Sequence, residues 1–433
     1  MRASHGLCIS GAIVGSALVT FGLIRPADGS APFFVLLALA AVGYLAALHQ
    51  VTNGLRPSAR MLVACAVLAL AWRVPMLLAP PEPAADLRRY IWDAHLVRAG
   101  LSPYAVVPAD PAFAHLRTSE SWPLNNPDVP SPYPPGAQLF FLAATTLSES
   151  ARSIKVAALL CDALLAFVVW RSLLATGANP GWVLAYLWSP LVSLEVARHG
   201  HLDVVGALLV AFAAFALARG RTLVGSIALA LSIAVKPLPI VLLPLLWRRS
   251  PRRHVVAACA LLLALYVPFW DHRGLPIGSV SEVIHRFRFN GPIFCALASL
   301  AGPAAATVFA VAIGLAVAFW ARRRLSLTSA QAWAWPMAAA LLCSPLVYPW
   351  YLLWLTPFLV APPAMPLTIW TVSILSAYSA WRLVGVPWAV PGWALVVEYG
   401  ALVGALFWLW RSKHLRLEAE LNSSPTLPSR SVP

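Results

Sequence analysis

Long apolar stretches recur along the whole chain, and short polar turns separate most of them. Fourteen such stretches can be placed, at residues 7–24, 31–48, 60–80, 152–171, 181–196, 202–218, 222–236, 237–247, 254–270, 303–320, 330–345, 349–361, 365–383 and 393–411. A straight transmembrane helix needs about 20 apolar residues, and the stretches at 237–247 and 349–361 are shorter. The pattern predicts an all-α fold, a polytopic membrane helical bundle of about 12–14 transmembrane helices, some of them tilted or broken.

The composition excludes the soluble classes of protein. Apolar residues make up 60% of the 433 positions and charged residues only 11%, whereas a soluble domain carries about 25% charged residues. With a mean hydropathy of +0.76, the chain cannot be a soluble enzyme, a disordered protein or a disulfide-stapled secreted domain. The first stretch could pass for a signal peptide, but no small-residue cleavage site stands out, so we interpret it as a retained first span.

The basic residues are unevenly distributed, and their distribution predicts the orientation in the membrane. The net charge is +15, and only three of the 31 basic residues are lysines. Fifteen of the basic residues fall into alternate connections: Arg56, Arg60, Arg171, Arg219, Arg221, Arg248, Arg249, Arg252, Arg253, Arg322, Arg323, Arg324, Arg411, Lys413 and Arg416. Because basic loops stay on the cytoplasmic side, we expect both termini to be cytoplasmic and the protein to be multi-pass in a cell inner membrane or plasma membrane.

The acidic residues follow the opposite distribution. Under this topology twelve of the sixteen, Glu82 and Asp271 among them, fall in extracytoplasmic segments. Membrane orientation therefore explains the arginines, and because no basic stripe alternates with exposed aromatic residues, we expect no nucleic-acid partner. The six cysteines do not have the spacing of metal ligands, so neither a metal centre nor another cofactor is predicted, and a need for a divalent cation is left open.

One connection is much longer than the others. Residues 81–151 form a loop rich in Pro, Asp, Trp and Tyr after the third stretch, and loops of this length are usually functional or disordered. Its aromatic residues argue against disorder. The apolar segment 138–147 is too short to span a bilayer, so we expect it to be a helix at the extracytoplasmic surface of the membrane. We treat residues 1–416 as one membrane domain and residues 417–433 as a polar, disordered cytoplasmic tail.

The start of this loop carries the strongest candidate for chemistry. Residues 86–95 have the sequence DLRRYIWDAH, and a helix there places Asp86, Arg89, Tyr90 and Asp93 on one face. Gly100 is expected to end this helix. Two carboxylates, a guanidinium and a phenol would then point the same way at the membrane surface. Two structural interpretations stay open, with Asp86 as a helix N-cap and with Arg89 and Asp93 as a surface ion pair.

A second polar cluster lies in the short connection between the fifth and sixth stretches. It comprises Glu195, Arg198, His199, His201 and Asp203. Five such residues are dense for a tight turn between two spans, which favours a functional site, although a solvated loop would show the same composition.

Some charges lie within or between apolar stretches. Lys236 is followed by Pro237 and Pro239, and a charge at the bilayer centre costs roughly 2.5–3.5 kcal/mol on insertion scales. Lys236 therefore either faces a cavity at a broken helix end or snorkels to the interface. Arg73 and Asp162 are further charges within spans, and they can pair structurally.

Two later segments add weaker candidates. Arg286 and Arg288 lie in the outer segment HRFRFNG, and Tyr348 and Trp350 lie in SPLVYPWY at the outer end of a hairpin. Because Trp and Tyr are common at any membrane interface, these aromatic residues alone do not identify a site.

Taken in order, these segments resemble those of a known family. The motifs are DLRRYIWDAHLVRAGLSPY, SPYPPGAQLFF, WSPLVSLEVARHGHLD, SIAVKPLPIVLLPLLWRR, FNGPIF and SPLVYPWYLLWLTPF, within residues 60–361. In this order they resemble bacterial integral-membrane glycosyltransferases of the GT-C superfamily, especially the polyprenyl-phosphomannose-dependent mannosyltransferases. The motifs are specific to the superfamily and do not identify the sugar or the acceptor.

The resemblance implies an active site between the first large outer loop and the helix ends. It also implies a donor, a hexose such as mannose on a polyprenyl phosphate, and a glycan or lipid acceptor on the extracytoplasmic face. By resemblance Asp86 is the catalytic base, and Asp93 orients the acceptor or holds Arg89. The candidate substrate-binding residues are Arg89, Tyr90, Glu195, Arg198, His199, His201, Asp203, Lys236, Arg286, Arg288, Tyr348 and Trp350. Arg198, His199 and Lys236, with Arg286 and Arg288 behind them, are the candidates for contact with the phosphate.

Two other classes of protein share part of the pattern. A secondary transporter has a similar number of spans, but transporters usually show two related halves, and the long loop has no counterpart in the second half of this chain. A polymerase or ligase of surface glycans also carries a long outer loop, and it would differ in using a lipid-linked oligosaccharide as its donor.

Overall fold

The predicted all-α fold is confirmed. A computed structural model describes residues 2–81, 86–270, 276–382 and 389–423. Across these residues the regular structure is helical, and the one β-bridge is an isolated pair between Phe289 and Leu346. Glu82 and Asp271, which are two of the predicted extracytoplasmic acids, and residues 424–433 of the predicted tail lie outside the described residues.

The helices are numbered α1 to α17 in chain order. The first six are α1 Arg2–Ile24, α2 Ala31–Thr52, α3 Ala59–Leu78, α4 Leu87–Arg98, α5 Pro135–Ala144 and α6 Ala151–Thr176. The next five are α7 Leu184–Leu187, α8 Pro190–Val192, α9 Asp203–Ala218, α10 Thr222–Val235 and α11 Arg252–Ala264. The last six are α12 Val280–His285, α13 Pro292–Ala301, α14 Pro303–Arg324, α15 Ala330–Leu342, α16 Met365–Ser373 and α17 Gly392–Ser423. The last helix continues through residues 417–423, the start of the segment expected to be a disordered tail, where Leu, Glu and Ala are strong helix formers.

Within the described residues, seven helical segments are long and apolar enough to cross a membrane. They are His5–Ile24, Ala31–Thr52, Ala59–Leu78, Ala151–Thr176, Arg252–Phe269, Pro303–Arg324 and Gly392–Ser412. Each coincides with one of the fourteen predicted stretches, so the chain is a polytopic membrane bundle. The other seven stretches fold as shorter helical segments, and the number of complete crossings stays a prediction.

Proline explains why the stretch at 237–247 is not an α-helix. It forms a 3₁₀ segment, Leu238–Leu246, that begins after Pro237 and contains Pro239 and Pro244; proline lacks the N–H that the α-helical pattern requires. The chain reverses at Lys236. A hydrogen bond of 3.4 Å from Ser226, near the start of α10, to Ser250, beyond the 3₁₀ segment, shows that the two segments lie side by side. Lys236 therefore lies at the tip of a broken hairpin, and whether it faces a cavity stays a prediction.

The bundle has two chemically distinct ends. At the end that we call the arginine end, Arg249 donates to the carbonyl oxygen of Arg322 at 2.9 Å, and Asn179 donates to that of Leu55 at 2.8 Å. Thr176 at the end of α6 and Thr328 after α14 line one cavity, so the connections after α2, α6 and α14 lie at the same end, as the alternation of basic loops predicts. At the opposite end, which we call the loop end, α4 and α5 pack on each other and on α6.

Charges inside the bundle are paired. The guanidinium Nε of Arg73 lies 3.1 Å from Oδ2 of Asp162, and the hydroxyl of Tyr186 donates to Oδ1 of the same carboxylate at 2.6 Å. Both charged side chains are nearly inaccessible. A buried charge is stable only when it is paired and hydrogen-bonded, so the predicted structural pair is confirmed.

The long loop contains two helices that cover the loop end. As predicted, the first of them, α4, ends just before Gly100, which takes a left-handed φ of +73°. The second, α5, begins three residues before the predicted 138–147 helix, because Pro135 favours the first helical position. A Cβ on Gly136 would come within 2.7 Å of the carbonyl oxygen of Ala234, so this glycine allows α5 to lie directly on the last turn of α10.

The sidedness of the two ends can be tested by cysteine labelling. Ser119 in the long loop and Ser326 at the arginine end are both exposed. In a variant without the exposed Cys8, Cys259 and Cys295, we expect Ser119→Cys to react with an impermeant thiol reagent in intact cells and Ser326→Cys to react only after lysis, because basic connections are retained in the cytoplasm. The reverse labelling pattern would overturn the predicted orientation.

Candidate active site

Asp86 lies immediately before α4, at the junction of the long loop and the bundle. It occupies the N-cap position, yet its side chain caps no backbone N–H. Its Oδ1 instead accepts a hydrogen bond from the amide of Asn125 at 3.5 Å, and its Oδ2 accepts one from the hydroxyl of Tyr133 at 3.4 Å. The side chain is 25% exposed, so the carboxylate is held in place and is accessible to another molecule.

The surroundings of Asp86 make its carboxylate more basic. Burial raises the pKa of Asp86 above its ordinary value of 3.8, and the negative charge of Asp203 acts in the same direction. The positive charges of Lys236 and Arg89 and the hydrogen bond from Asn125 oppose this shift without cancelling it. A carboxylate with a raised pKa is a better proton acceptor at neutral pH.

Arg89 holds the segment of the loop that carries Asn125. Its guanidinium donates to the carbonyl oxygens of Asn126 at 2.6 Å and of Asn125 and Val129 at 3.2 Å each. The residue is only 4% exposed. Arg89 thus acts on Asp86 indirectly, because it fixes the backbone of a residue that hydrogen-bonds the carboxylate.

Asp93 holds the next segment of the same loop. Its fully buried Oδ2 accepts hydrogen bonds from the hydroxyl of Ser131 and from the amide of Gln138 at 3.1 Å. Burial raises the pKa of Asp93 to about 6, against the lowering effects of Arg89, Ser131 and Gln138. Asp93 and Arg89 each make their hydrogen bonds to the loop, so the structure does not show the surface ion pair that one interpretation of the sequence allows.

Tyr90 completes the predicted face of α4. Its ring stacks on Phe141 at a centroid distance of 4.3 Å and meets Tyr133 edge to face at 5.3 Å. The four side chains predicted to share one face therefore all contact the segment between residues 125 and 141. That part of the prediction is confirmed, and the face it forms is directed at the loop.

A π-helical turn, Ser193–Arg198, presents the second predicted cluster. Such turns are rare and are frequent at functional sites. Within it, Glu195 is completely buried, and its Oε1 accepts a hydrogen bond from the hydroxyl of Tyr378 at 2.8 Å. Beyond the turn, Nδ1 of His201 comes within 3.9 Å of Oδ2 of Asp86, which joins the cluster to the long loop.

Arg198 and His199 face the connection between α1 and α2. The guanidinium of Arg198 donates to the carbonyl oxygen of Pro26 at 2.9 Å and to the carboxylate of Asp28 at 3.0 Å. Nε2 of His199 is 3.7 Å from the same carboxylate. Both are candidates for phosphate contact, and the structure places both beside a buried carboxylate.

Lys236 and Asp203 form another ion pair at the loop end. The ammonium of Lys236 donates to both oxygens of Asp203 at 2.7 Å and lies 4.3 Å from the centre of the Tyr351 ring. The indole N–H of Trp354 donates to Oδ1 of Asp203 at 2.7 Å. Asp203 is fully buried, whereas the side chain of Lys236 is 15% exposed, so of this pair the lysine is the accessible member.

Tyr348 and Trp350 belong to a column of stacked rings that ends beside Asp86. His201 stacks on Trp350 at 4.1 Å, Trp350 on Tyr348 at 4.4 Å, and Tyr348 on Phe289 at 4.4 Å, all within 18° of parallel. The column fixes the imidazole of His201 and brings the segment around residue 348 to the site.

Arg286 and Arg288 are the predicted residues that the structure does not bring to this cluster. Arg286 is exposed and pairs with Glu282 at 3.2 Å. Arg288 donates to the carbonyl oxygens of Phe287 at 2.6 Å and His285 at 3.3 Å. Among residues 86–270 and 276–382, no hydrogen bond or ion pair is seen between either guanidinium and Asp86, Asp203 or Lys236.

Sequence reasoning missed several residues that complete the site. They are Asp28, Asn125, Tyr133, Phe289, Tyr351, Trp354 and Tyr378. Tyr133, Tyr351 and Trp354 lie within the motifs SPYPPGAQLFF and SPLVYPWYLLWLTPF, so the motifs contained a usable signal. Asp28 and Tyr378 lie in segments with no such pattern, and only the fold brings them to Arg198 and Glu195.

The site combines an accessible carboxylate, neutral aromatic walls and one accessible ammonium. This set can accept a proton from a hydroxyl and offset a developing negative charge. In the part of the chain that the structure describes, no three His, Cys, Asp or Glu side chains are grouped so that they could hold a metal ion. Such a site at the loop end of a polytopic helical bundle agrees with the glycosyltransferase resemblance of the sequence.

Comparison with known proteins gives the family. The model of the MptA_B family, described as alpha-(1->6)-mannopyranosyltransferase, N-terminal domain, matches residues 8–249, more than half of the chain. The chain belongs to this family of mannosyltransferases. It is also 25% identical over 365 residues to alpha-(1->6)-mannopyranosyltransferase A of Mycobacterium tuberculosis, an alignment that covers 72% of this chain and 67% of the relative. The matched family range contains Asp86, His201, Asp203 and Lys236.

Proposed function

We propose that the protein transfers a mannosyl residue from a polyprenyl-phosphate donor to a glycan or lipid acceptor on the extracytoplasmic face, with Asp86 as the general base. The description of the family and the name of the mycobacterial relative both specify alpha-(1->6)-mannopyranosyl transfer, and we extend that linkage to this chain. One observation carries the proposal: the carboxylate of Asp86 is partly exposed and makes no capping hydrogen bond to a backbone N–H of α4.

The position of the site supports a lipid-linked donor. Asp86, His201 and Lys236 all lie where helices of the bundle end or are broken. A polyprenyl tail can remain in the bilayer while its phosphate and sugar reach such a site, so no soluble nucleotide-binding domain is required. The proposal therefore places the donor at the loop end, between the bundle and the long loop.

The chemistry requires a base and a cation. The hydroxyl group of a sugar has a pKa far above neutral, so Asp86 removes its proton as the oxygen attacks the anomeric carbon. The bond from that carbon to the phosphate oxygen breaks, and the phosphate departs with the electron pair. A phosphate is a good leaving group and needs no general acid, but its developing charge is stabilised by a nearby cation, a role that we assign to Lys236.

A panel of donors tests this proposal. Purified protein in lipid nanodiscs would receive polyprenyl-phosphate mannose, polyprenyl-phosphate glucose, GDP-mannose or a lipid-linked oligosaccharide, each with a mannoside acceptor. We expect transfer from polyprenyl-phosphate mannose only, detected by mass spectrometry of the acceptor. Transfer from GDP-mannose would refute the lipid donor, and transfer of a whole oligosaccharide would favour a polymerase or ligase.

A further inference from the structure

His201 lies between two carboxylates that belong to different parts of the chain. Its Nδ1 is 3.9 Å from Oδ2 of Asp86, and its Nε2 is 3.4 Å from Oε2 of Glu195. The imidazole is only 6% exposed, and Glu195 is fully buried. Within the described residues, neither Nδ1 of His201 nor Oε2 of Glu195 makes a hydrogen bond of normal geometry. Buried polar atoms are costly to leave unsatisfied, so a role in which these contacts tighten during the reaction is favoured.

The local structure fixes the ring in this position. The imidazole stacks on Trp350 at 4.1 Å with an interplanar angle of 11°, and the backbone N–H of His201 donates to the carbonyl oxygen of Glu195 at 3.0 Å. The preceding Gly200 takes a left-handed φ of +66°, and a Cβ there would come within 2.8 Å of the side chain of Leu87. Glycine at this position therefore lets the segment between the π-helical turn and α9 approach Leu87, the first residue of α4, next to Asp86.

We propose that His201 is a positioning residue for the base. It presents Nδ1 as the acceptor of a hydrogen bond from Asp86 once Asp86 has taken the proton of the acceptor hydroxyl, and Glu195 fixes the tautomer by accepting from Nε2. The inference rests on the proposed function of Asp86. Glu195 is itself oriented by the hydroxyl of Tyr378, which donates to its other oxygen at 2.8 Å.

The proton and electron balance of this arrangement is simple. Before transfer, His201 is neutral, with its proton on Nε2 and its Nδ1 lone pair facing the Asp86 carboxylate. During transfer the acceptor O–H bond breaks, its proton moves to Asp86, the oxygen bonds to the anomeric carbon, and the phosphate leaves with the electrons of the broken bond. The new O–H of Asp86 then donates to Nδ1, and His201 stays neutral. This hydrogen bond forms only as the proton arrives, so it stabilises the transition state more than the ground state.

The charges around the site are consistent with a neutral imidazole. Burial lowers the pKa of His201 well below its ordinary value of 6.5, and the positive charge of Lys236 lowers it further. The ionisable groups that face Asp86 from the surrounding elements are Lys236, Asp203, Arg89, Tyr90, Tyr133, Tyr348 and Tyr351. The variants described next leave all of these groups unchanged.

A pair of variants separates hydrogen bonding from packing. His201→Phe keeps an aromatic ring on Trp350 and removes both nitrogens, whereas His201→Asn keeps an amide oxygen near the position of Nδ1. We expect His201→Phe to lower kcat about tenfold or more, with the KM values for donor and acceptor within about threefold of the parent, and His201→Asn to recover part of kcat. His115→Asn, at an exposed position in the long loop, is the matched control.

The pH profile distinguishes this role from a structural one. Loss of the Nδ1 acceptor removes stabilisation of protonated Asp86 and lowers its pKa, so the acidic limb of kcat should move to lower pH by about half a unit or more. Loss of packing alone would lower kcat at every pH and leave the pH of the acidic limb unchanged. Glu195→Gln is a second variant, because its amide can donate to Nε2 and reverse the tautomer, and it should lower kcat as well.

The outcomes for the two hypotheses are distinguishable. Parental kcat and an unmoved acidic limb in His201→Phe, or a His201→Asn variant no more active than His201→Phe, would overturn the role of His201. If the role of His201 is overturned in this way but Asp86→Asn is inactive in the same assay, the proposed function still stands. Parental activity in Asp86→Asn would instead refute the proposed function itself.

Discussion

Asp86→Asn is expected to fold and bind the donor like the parent and to lose at least about 100-fold in turnover, since removal of a general base costs about 10²–10⁴ in rate. The amide keeps the volume of the side chain and can still accept from Tyr133. Because the Asp86 side chain caps no backbone N–H, the substitution removes no helix cap. The measurement is kcat with polyprenyl-phosphate mannose, accompanied by thermal unfolding and donor binding.

Asp93→Asn is the matched comparison on the same helix. It should lose much less turnover and should affect acceptor binding more than the chemical step, because Asp93 contacts Ser131 and Gln138 in the loop. Normal turnover in Asp86→Asn with an inactive Asp93→Asn would exchange the two roles. Normal turnover in both variants would show that the acidic face of α4 is structural.

The parental enzyme should also show the basicity of Asp86 in its pH profile. Burial raises the pKa of Asp86 above its ordinary value of 3.8, and the base acts only when it is ionised. Turnover should therefore fall as the pH is lowered through this raised pKa, and the acidic limb should lie above pH 3.8.

Removal of the Lys236 charge is expected to have the second large effect, on stability. Lys236→Met should lower the free energy of unfolding by about 3–5 kcal/mol, because a buried carboxylate whose cation is removed is left uncompensated. Asp203 is fully buried, and Trp354 would then be its remaining described hydrogen-bond donor. Thermal unfolding of the purified protein in detergent measures this effect, and an unchanged midpoint would contradict it.

The double variant separates stability from donor binding. Lys236→Met with Asp203→Asn removes both charges, so most of the lost stability should return. If Lys236 also contacts the phosphate, the apparent KM for the donor should remain raised by about tenfold or more, the size of one lost charged hydrogen bond. A double variant with parental donor kinetics would restrict Lys236 to its structural pair with Asp203.

Local patterns in the sequence were sufficient for much of the fold. The spacing of Asp86, Arg89, Tyr90 and Asp93 correctly predicted a shared helix face, and Gly100 marked the end of α4. The apolar stretches located the seven long helices. These features depend on residues within one or two helical turns of each other, which is the range over which periodicity and capping are informative.

The partners of the site residues lie far away in the sequence and could not be predicted in this way. Arg198 pairs with Asp28 across 170 residues, and Glu195 accepts from Tyr378 across 183. Whether a cation faces a substrate or a buried carboxylate depends on such contacts. The contact of Arg198 with Asp28 could not be foreseen from the sequence, and its assignment to the phosphate stays a prediction.

The stereochemistry of transfer tests the central claim most directly. A base that activates the acceptor hydroxyl produces a single displacement, which inverts the configuration of the anomeric carbon, whereas a carboxylate that acts as a nucleophile produces two displacements and retention. With a β-linked polyprenyl-phosphate mannose and a mannoside acceptor, NMR of the product should show an α linkage, and Asp86→Asn should form this product at least about 100-fold more slowly. A β-linked product, or a mannosylated Asp86 trapped on the protein, would contradict the assignment of Asp86 as the base.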